Sequence, residues 1–216
     1  MINFIVAYDN QDANLGTYFD ACKSQLLGVL AENNHFVNGE VREIAGNQCN
    51  NAFIDITIPP YNTSPFIFIA YSHGNEKALC CNNHHYIEKN VNACYFANSL
   101  FYTTACSVGK ELGAHLIEIG GLAFVGYTSV VYAYKQSEKK EVSKNCDNAG
   151  IMAFLLEDIT ISEACTKMKN YYTQEIDRLT NFKDMLFAGH LVEARDSLVC
   201  LGNGNLKKED LFLTEL

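Results

Sequence analysis

Residues 65–71 (PFIFIAY) form an almost unbroken apolar run, and residues 99–104 (SLFYTT) form a second short segment rich in aromatic and β-branched types. A strand with one wet face alternates apolar and polar side chains, so a run without alternation belongs to a strand covered on both sides. This constrains the chain to a sheet enclosed between helices. Each segment also ends in reactive residues, the first in Ser72-His73-Gly74 and the second in Ala105-Cys106-Ser107. In open sheets of mostly parallel strands, functional groups collect at the carboxyl ends of the strands.

The flanking sequence supplies the other elements of such a sheet. Residues 2–7 read as a first strand, with Asp9, Asn10, Asp12 and Gly16 in a turn-rich loop after it. Thr17 is positioned to cap a helix running to about Glu32, with Phe19, Cys22, Leu26 and Leu30 as its apolar stripe. A short strand is predicted over 40–45. Residues 47–58 are open between strand and helix, because Ile54, Ile56 and Ile58 alternate while a parallel sheet needs a crossover in this region. A hairpin over 78–89 turns at Asn82-Asn83, residue types that tolerate positive φ. A helix is predicted over 108–119, a strand over 122–125, helices over 162–179 and 187–196, and an edge strand over 197–201. The charged stretch 135–148 lacks apolar periodicity and reads as an exposed loop. The 216 residues read as a single domain, with no internal repeat.

A formal charge of −9, from 25 acidic against 16 basic residues, argues against nucleic-acid binding. The apolar N-terminus lacks a basic flank and reads as a strand, not a signal peptide. No stretch reaches the roughly 18 apolar residues of a membrane span, so a cytoplasmic protein without membrane association is expected. Of the nine cysteines, Cys22, Cys94, Cys165 and Cys200 lie within apolar runs and read as inert core residues in a reducing compartment.

His73 and Cys106 are the His/Cys pair that shares strand-end placement. A thiolate is a strong nucleophile, and an imidazole can protonate the leaving amine of a cleaved amide. Gly74, lacking Cβ, is expected to admit substrate, and its N–H with that of Cys106 could hold an oxyanion. A helix starting just after Cys106 would lower the thiol pKa. On pattern alone, a buried strand-end cysteine and a loop histidine fit equally well.

These two segments, in this order, resemble the signature strands of the caspase-like (clan CD) cysteine peptidases, nearest to the bacterial CHAT and gingipain-type branches. Residues 120–129 (GGLAFVGYTS) and 198–204 (LVCLGNG) resemble the next strand and a closing segment. The resemblance implies a three-layer α/β fold with a mostly parallel central sheet, a His73/Cys106 dyad, a protein or peptide substrate, and no metal or organic cofactor. It also implies an acidic pocket for P1 Arg or Lys, for which Asp9 is the candidate, with Asp12 close behind; an Asx-turn role for Asp9 is at least as good a reading. Thr104 stands where metacaspases carry an acidic pocket residue. Tyr127, Tyr132 and Tyr134 follow the strand where relatives place an aromatic pocket wall, although at least two of them are expected to be packing residues. By analogy, regulation would come from an activating partner in bacterial defence or cell death, with the segment around Lys135–Lys144 a conceivable processing site. The alternatives are an inactive caspase-like module that binds a partner protein, and a small-molecule amidohydrolase using the same dyad.

The sequence CCNNHH at 80–85 offers four metal-ligating side chains. Hairpin geometry separates them into Cys81 with His84 and Cys80 with His85, each pair two ligands short of a tetrahedral zinc site, so no metal site is expected.

Overall fold

The computed structural model describes residues 1–135 and 137–213. Strand β1 (Asn3–Tyr8) leads into helix α1 (Gly16–Glu32), β2 (Arg42–Ala45) and helix α2 (Asn51–Thr57). Strand β3 (Phe66–Tyr71) is followed by a small sheet of β4 (His73–Gly74), β5 (Ala78–Cys81) and β6 (His84–Glu88). The chain returns through β7 (Ser99–Thr103), α3 (Leu112–Glu118) and β8 (Ala123–Tyr127). It continues as α4 (Ser137–Leu156), α5 (Ile161–Asn181), α6 (Met185–Ser197) and β9 (Leu198–Gly202).

The main sheet has the order β2-β1-β3-β7-β8-β9, with all pairs parallel except the last. All six residues of β3 are buried, as its unbroken apolar run requires. Successive side chains go to opposite faces. Ile67, Ile69 and Tyr71 pack with Tyr18, Leu26, Phe154 and Tyr172 of α1, α4 and α5, while Phe66, Phe68 and Ala70 pack with Ile54, Leu112 and Leu116 of α2 and α3. The chain is therefore three-layered and α/β. The second face carries an aromatic ladder, Phe96–Phe68–Phe101–Phe124, with ring centroids 4.8, 4.9 and 5.9 Å apart. Each fully buried Phe contributes roughly 1.5–3 kcal/mol from area removed from water.

The structure resolves one segment that the sequence reading left open and differs from that reading in three others. Residues 51–57 are helix, started by Asn50, whose side chain accepts from the Phe53 N–H at 3.0 Å; the crossover requirement prevails over the Ile alternation. Helix α1 is not capped by Thr17 or by any side chain: it starts at Gly16 after a turn in which Asp12 accepts from the Asn14 and Leu15 N–H groups. The stretch read as an exposed loop is largely the N-terminal half of α4, since residues 137–148 are helical; Gln136 lies outside the described residues. Its buried stripe alternates apolar and polar types, Val142, Ser143, Cys146, Asp147 and Asn148, and so carries no apolar period. Last, α3 begins at Leu112, six residues beyond the catalytic candidate rather than two. The hairpin turn is as expected, with Asn82 and Asn83 at φ 49° and 62°. Among the described residues no helix is long and apolar enough to cross a membrane.

Candidate active site

β3 and β7 are adjacent and parallel, Ala70 lying opposite Thr103, so the loops that leave their carboxyl ends start side by side. One loop carries His73 and Gly74, the other Cys106. They interlock at Gly74: a Cβ there would sit 2.6 Å from Val108 Cγ2 and 2.9 Å from Ala105 Cβ. The missing side chain thus admits the cysteine loop, not substrate as the sequence reading supposed. That loop is held on its other flank by β8, the Ser107 N–H donating to Ser129 O and the Gly109 N–H to Tyr127 O, both at 2.9 Å. Ser107 takes a left-handed φ of 61° to make this path, and these outward bonds are what delay α3.

The half-exposed His73 ring is fixed from two sides. Its Nε2 lies 3.2 Å from Asp12 Oδ2, and it meets the edge of Phe19 at a centroid distance of 5.4 Å and 90°. Burial works against ionisation of Asp12, yet the Leu15 and Asn14 N–H groups and His73 together hold its carboxyl below the usual range. A charged Asp12 accepting from Nε2–H leaves Nδ1 as the free nitrogen of neutral His73. Asp12 is the site residue that sequence reasoning undervalued; the signal was an acidic loop at the end of β1, read there for substrate recognition.

Cys106 is half-buried and sits under the segment between β8 and α4. The Val131 N–H donates to its Sγ at 3.3 Å, and Sγ faces Val131 O at 3.6 Å. Burial above all pushes the Cys106 thiol up, with the Val131 N–H opposing and the Asp147 charge adding to it. This reverses the expected helix-dipole activation: α3 starts too far away, and its seven residues make a weak dipole. No hydrogen bond joins the His73 ring to Sγ among the described residues.

Asp9 is fully buried. Its Oδ1 accepts from the Gln11 and Asp12 N–H groups at 3.2 and 3.1 Å, and its Oδ2 from the Asn82 N–H at 3.3 Å. It organises the loop that presents Asp12, which corrects its assignment as a direct contact for a P1 side chain. Tyr127 is likewise fully buried, bonded to Asp147 and Tyr172 at 2.7 Å, so it is a packing residue and not a pocket wall. Tyr134 packs on Phe187 and bonds to His190. Tyr132 remains exposed, stacked on His190 at 4.0 Å between centroids. Thr104, two residues before Cys106, is buried with a hydroxyl oxygen lacking a hydrogen-bond partner.

In the Cys80–His85 region the register pairs Cys80 with His85 and Cys81 with His84. Cys81 turns inward beside Cys49 and Asp9, whereas both histidines are exposed. Among the described residues no group of three or more His, Cys, Asp or Glu is placed to hold a metal ion.

The sheet order, the two flanking layers and the paired loops at β3 and β7 define a caspase-like fold. No protein-family model and no curated protein matches the chain. Among solved structures it is similar to the Arg-specific cysteine proteinase gingipain R, with a TM-score of 0.62 and 11% identity over 95% of this chain. It spans 47% of that protein's chain, about half its length.

Proposed function

We propose that the chain is a caspase-like cysteine peptidase acting through Cys106 and His73, with Asp12 orienting the histidine. The observation that carries this reading is the emergence of His73 and Cys106 from adjacent parallel strands of a caspase-like sheet, with the imidazole held by a carboxylate.

In this mechanism Cys106 Sγ, its proton passed to His73 Nδ1, adds to the scissile carbonyl carbon. The developing oxyanion is met by the N–H groups of Gly74 and Cys106. Collapse expels the amine, which takes the proton from His73, and leaves a thioester on Cys106. Water, deprotonated by His73, hydrolyses the thioester and returns the thiol. Asp12 keeps Nδ1 facing the reaction and stabilises the imidazolium. Val131 must leave Sγ for a substrate carbonyl to enter. No step needs a metal or an organic cofactor.

A P1 Arg or Lys is the specificity proposed, on the acidic balance of the chain and the family resemblance. A cytoplasmic role in bacterial defence or cell death, with an activating partner, rests on family analogy alone. The second reading, an inactive module that binds a partner protein, is favoured by one observation: the sulfur is engaged by Val131 and not by His73.

Acyloxymethyl-ketone probes with P1 Arg, Lys or Asp separate the readings by intact-protein mass spectrometry. The peptidase reading expects adduct on Cys106, lost in Cys106→Ala and reduced in His73→Ala, with basic probes preferred over Asp. Absence of adduct with every probe, also in His190→Ala, overturns a peptidase that acts unaided and favours the binding module.

A further inference from the structure

Cys165 and Cys200 read from sequence as inert core residues, but the fold brings them together at the surface. Cys165 lies on the buried face of α5, and Cys200 at the centre of the edge strand β9, opposite Val125 of β8. Both line an open groove of about 350 Å³, together with Ser162, Thr166 and Lys169. The two thiols are close enough to polarise each other, and neither is in a disulfide. Cys165 is 6% exposed, while Cys200 is half-buried.

The two sulfurs are not equivalent. The neighbouring Cys165 thiol holds the Cys200 thiol below its ordinary range against partial burial, and the Lys169 ammonium adds to this. The Cys200 neighbour and burial push the Cys165 thiol up. Cys200 is thus a reachable, polarised sulfur with a second thiol immediately behind it, the arrangement of an attacking and a resolving cysteine. The other buried contact of this kind, Cys49 beside Cys81, lies at 4% and 2% exposure and offers an oxidant no route.

We propose that Cys165 and Cys200 form a peroxide-oxidisable dithiol, a modification site on the face formed by α5 and β9. The Cys200 thiolate attacks one oxygen of a hydroperoxide, breaking the O–O bond; Cys200 becomes a sulfenic acid, and the other oxygen leaves as an alcohol, or as water from hydrogen peroxide, taking a proton. Cys165, losing its own proton, then attacks the Cys200 sulfur; the S–S bond forms and water leaves. Two thiols are oxidised and one peroxide is reduced. The disulfide ties α5 to β9, and β9 already backs the cysteine loop, because Val199 fills the space beside Gly109. The site stands independently of the proposed peptidase activity.

The test exposes the fully reduced chain to an equimolar amount of hydrogen peroxide, blocks remaining thiols with N-ethylmaleimide, and maps all nine cysteines by peptide mass spectrometry. A peptide linking Cys165 to Cys200, formed ahead of oxidation at the exposed Cys94, is the expected result. Cys165→Ser should halt Cys200 at the sulfenic acid, captured by dimedone, and Lys169→Ala should slow the reaction roughly threefold or more. Quantitative alkylation of Cys200 while Cys94 or Cys106 carries the oxidation overturns the proposal, as does sulfenic acid on wild-type Cys200 without the linked peptide. Both outcomes are read on wild-type protein, so they do not depend on a variant folding.

Discussion

Asp12 acts in two directions at once. Through Oδ1 it closes the turn that leads into α1, and through Oδ2 it holds His73, so the position of the imidazole is tied to the start of a helix that packs on the opposite side of the sheet from α3. Replacing it by Asn keeps much of the turn but gives up the charged acceptor for His73 Nε2–H. Asp12→Asn should lower kcat on a peptide substrate roughly tenfold to a hundredfold with KM little changed. An equal rise in KM instead would mean that Asp12 binds substrate. Because Asp12 stays ionised below the usual carboxylate range, its support for His73 persists as pH falls through that range and is lost only below it. The strand-end placement of His73 and Cys106 was legible because each follows a buried strand. Asp12 was not, since its placement depends on Asp9 and, through Asp9, on Asn82, which is remote in sequence. Gly74 was found for the wrong reason: only the fold shows that Val108 and Ala105 occupy the space a Cβ would need.

Helix α4 is anchored by a buried carboxyl group. Asp147 is buried and accepts from the hydroxyls of Tyr18, Tyr127 and Tyr172, drawn from α1, β8 and α5, while its backbone carbonyl takes the Tyr102 hydroxyl. Burial raises the Asp147 carboxyl above its ordinary range, with the three phenols opposing. The folded state therefore binds a proton more tightly than the unfolded chain does. That contribution to stability is full below the unfolded carboxyl range, near pH 4, and is lost as pH rises through the raised folded value. Urea unfolding across this window should show the slope in wild type and not in Asp147→Asn. Asp147→Ala, which leaves phenols without their acceptor, should cost about 3 kcal/mol at neutral pH. A wild-type slope unchanged in Asp147→Asn would exclude Asp147 as its source. This helix was the least legible element, because Ser143, Asp147 and Asn148 occupy core positions that a hydrophobic pattern expects to be apolar. By contrast α5 could be read closely: Thr160 and Glu163 form a capping box, and its buried stripe keeps a helical period.

At the level of the whole molecule, the fold class followed from two doubly covered strands, whereas the state of the site did not, because it is set by contacts across layers. The segment over Cys106 runs from β8 to α4 and is pinned at its far side: Tyr132 and Tyr134 stack on His190 of α6, and Lys135 bonds to Asn14. None of these pairings has a signature along the chain. His190→Ala should loosen the segment and raise the iodoacetamide rate at Cys106 severalfold, with the exposed Cys94 as internal reference. An unchanged Cys106/Cys94 ratio would show that Val131 holds the sulfur without help from α6. The tyrosine cluster on Asp147 has a further meaning for a chain made from its N-terminus. Its donors are spread from Tyr18 to Tyr172, so the acid cannot be satisfied until α5 has been synthesised, and β8 has no partner on its outer edge until β9 follows. On the proposed peptidase reading, His73 and Cys106 leave the ribosome early and are brought into a finished site only late.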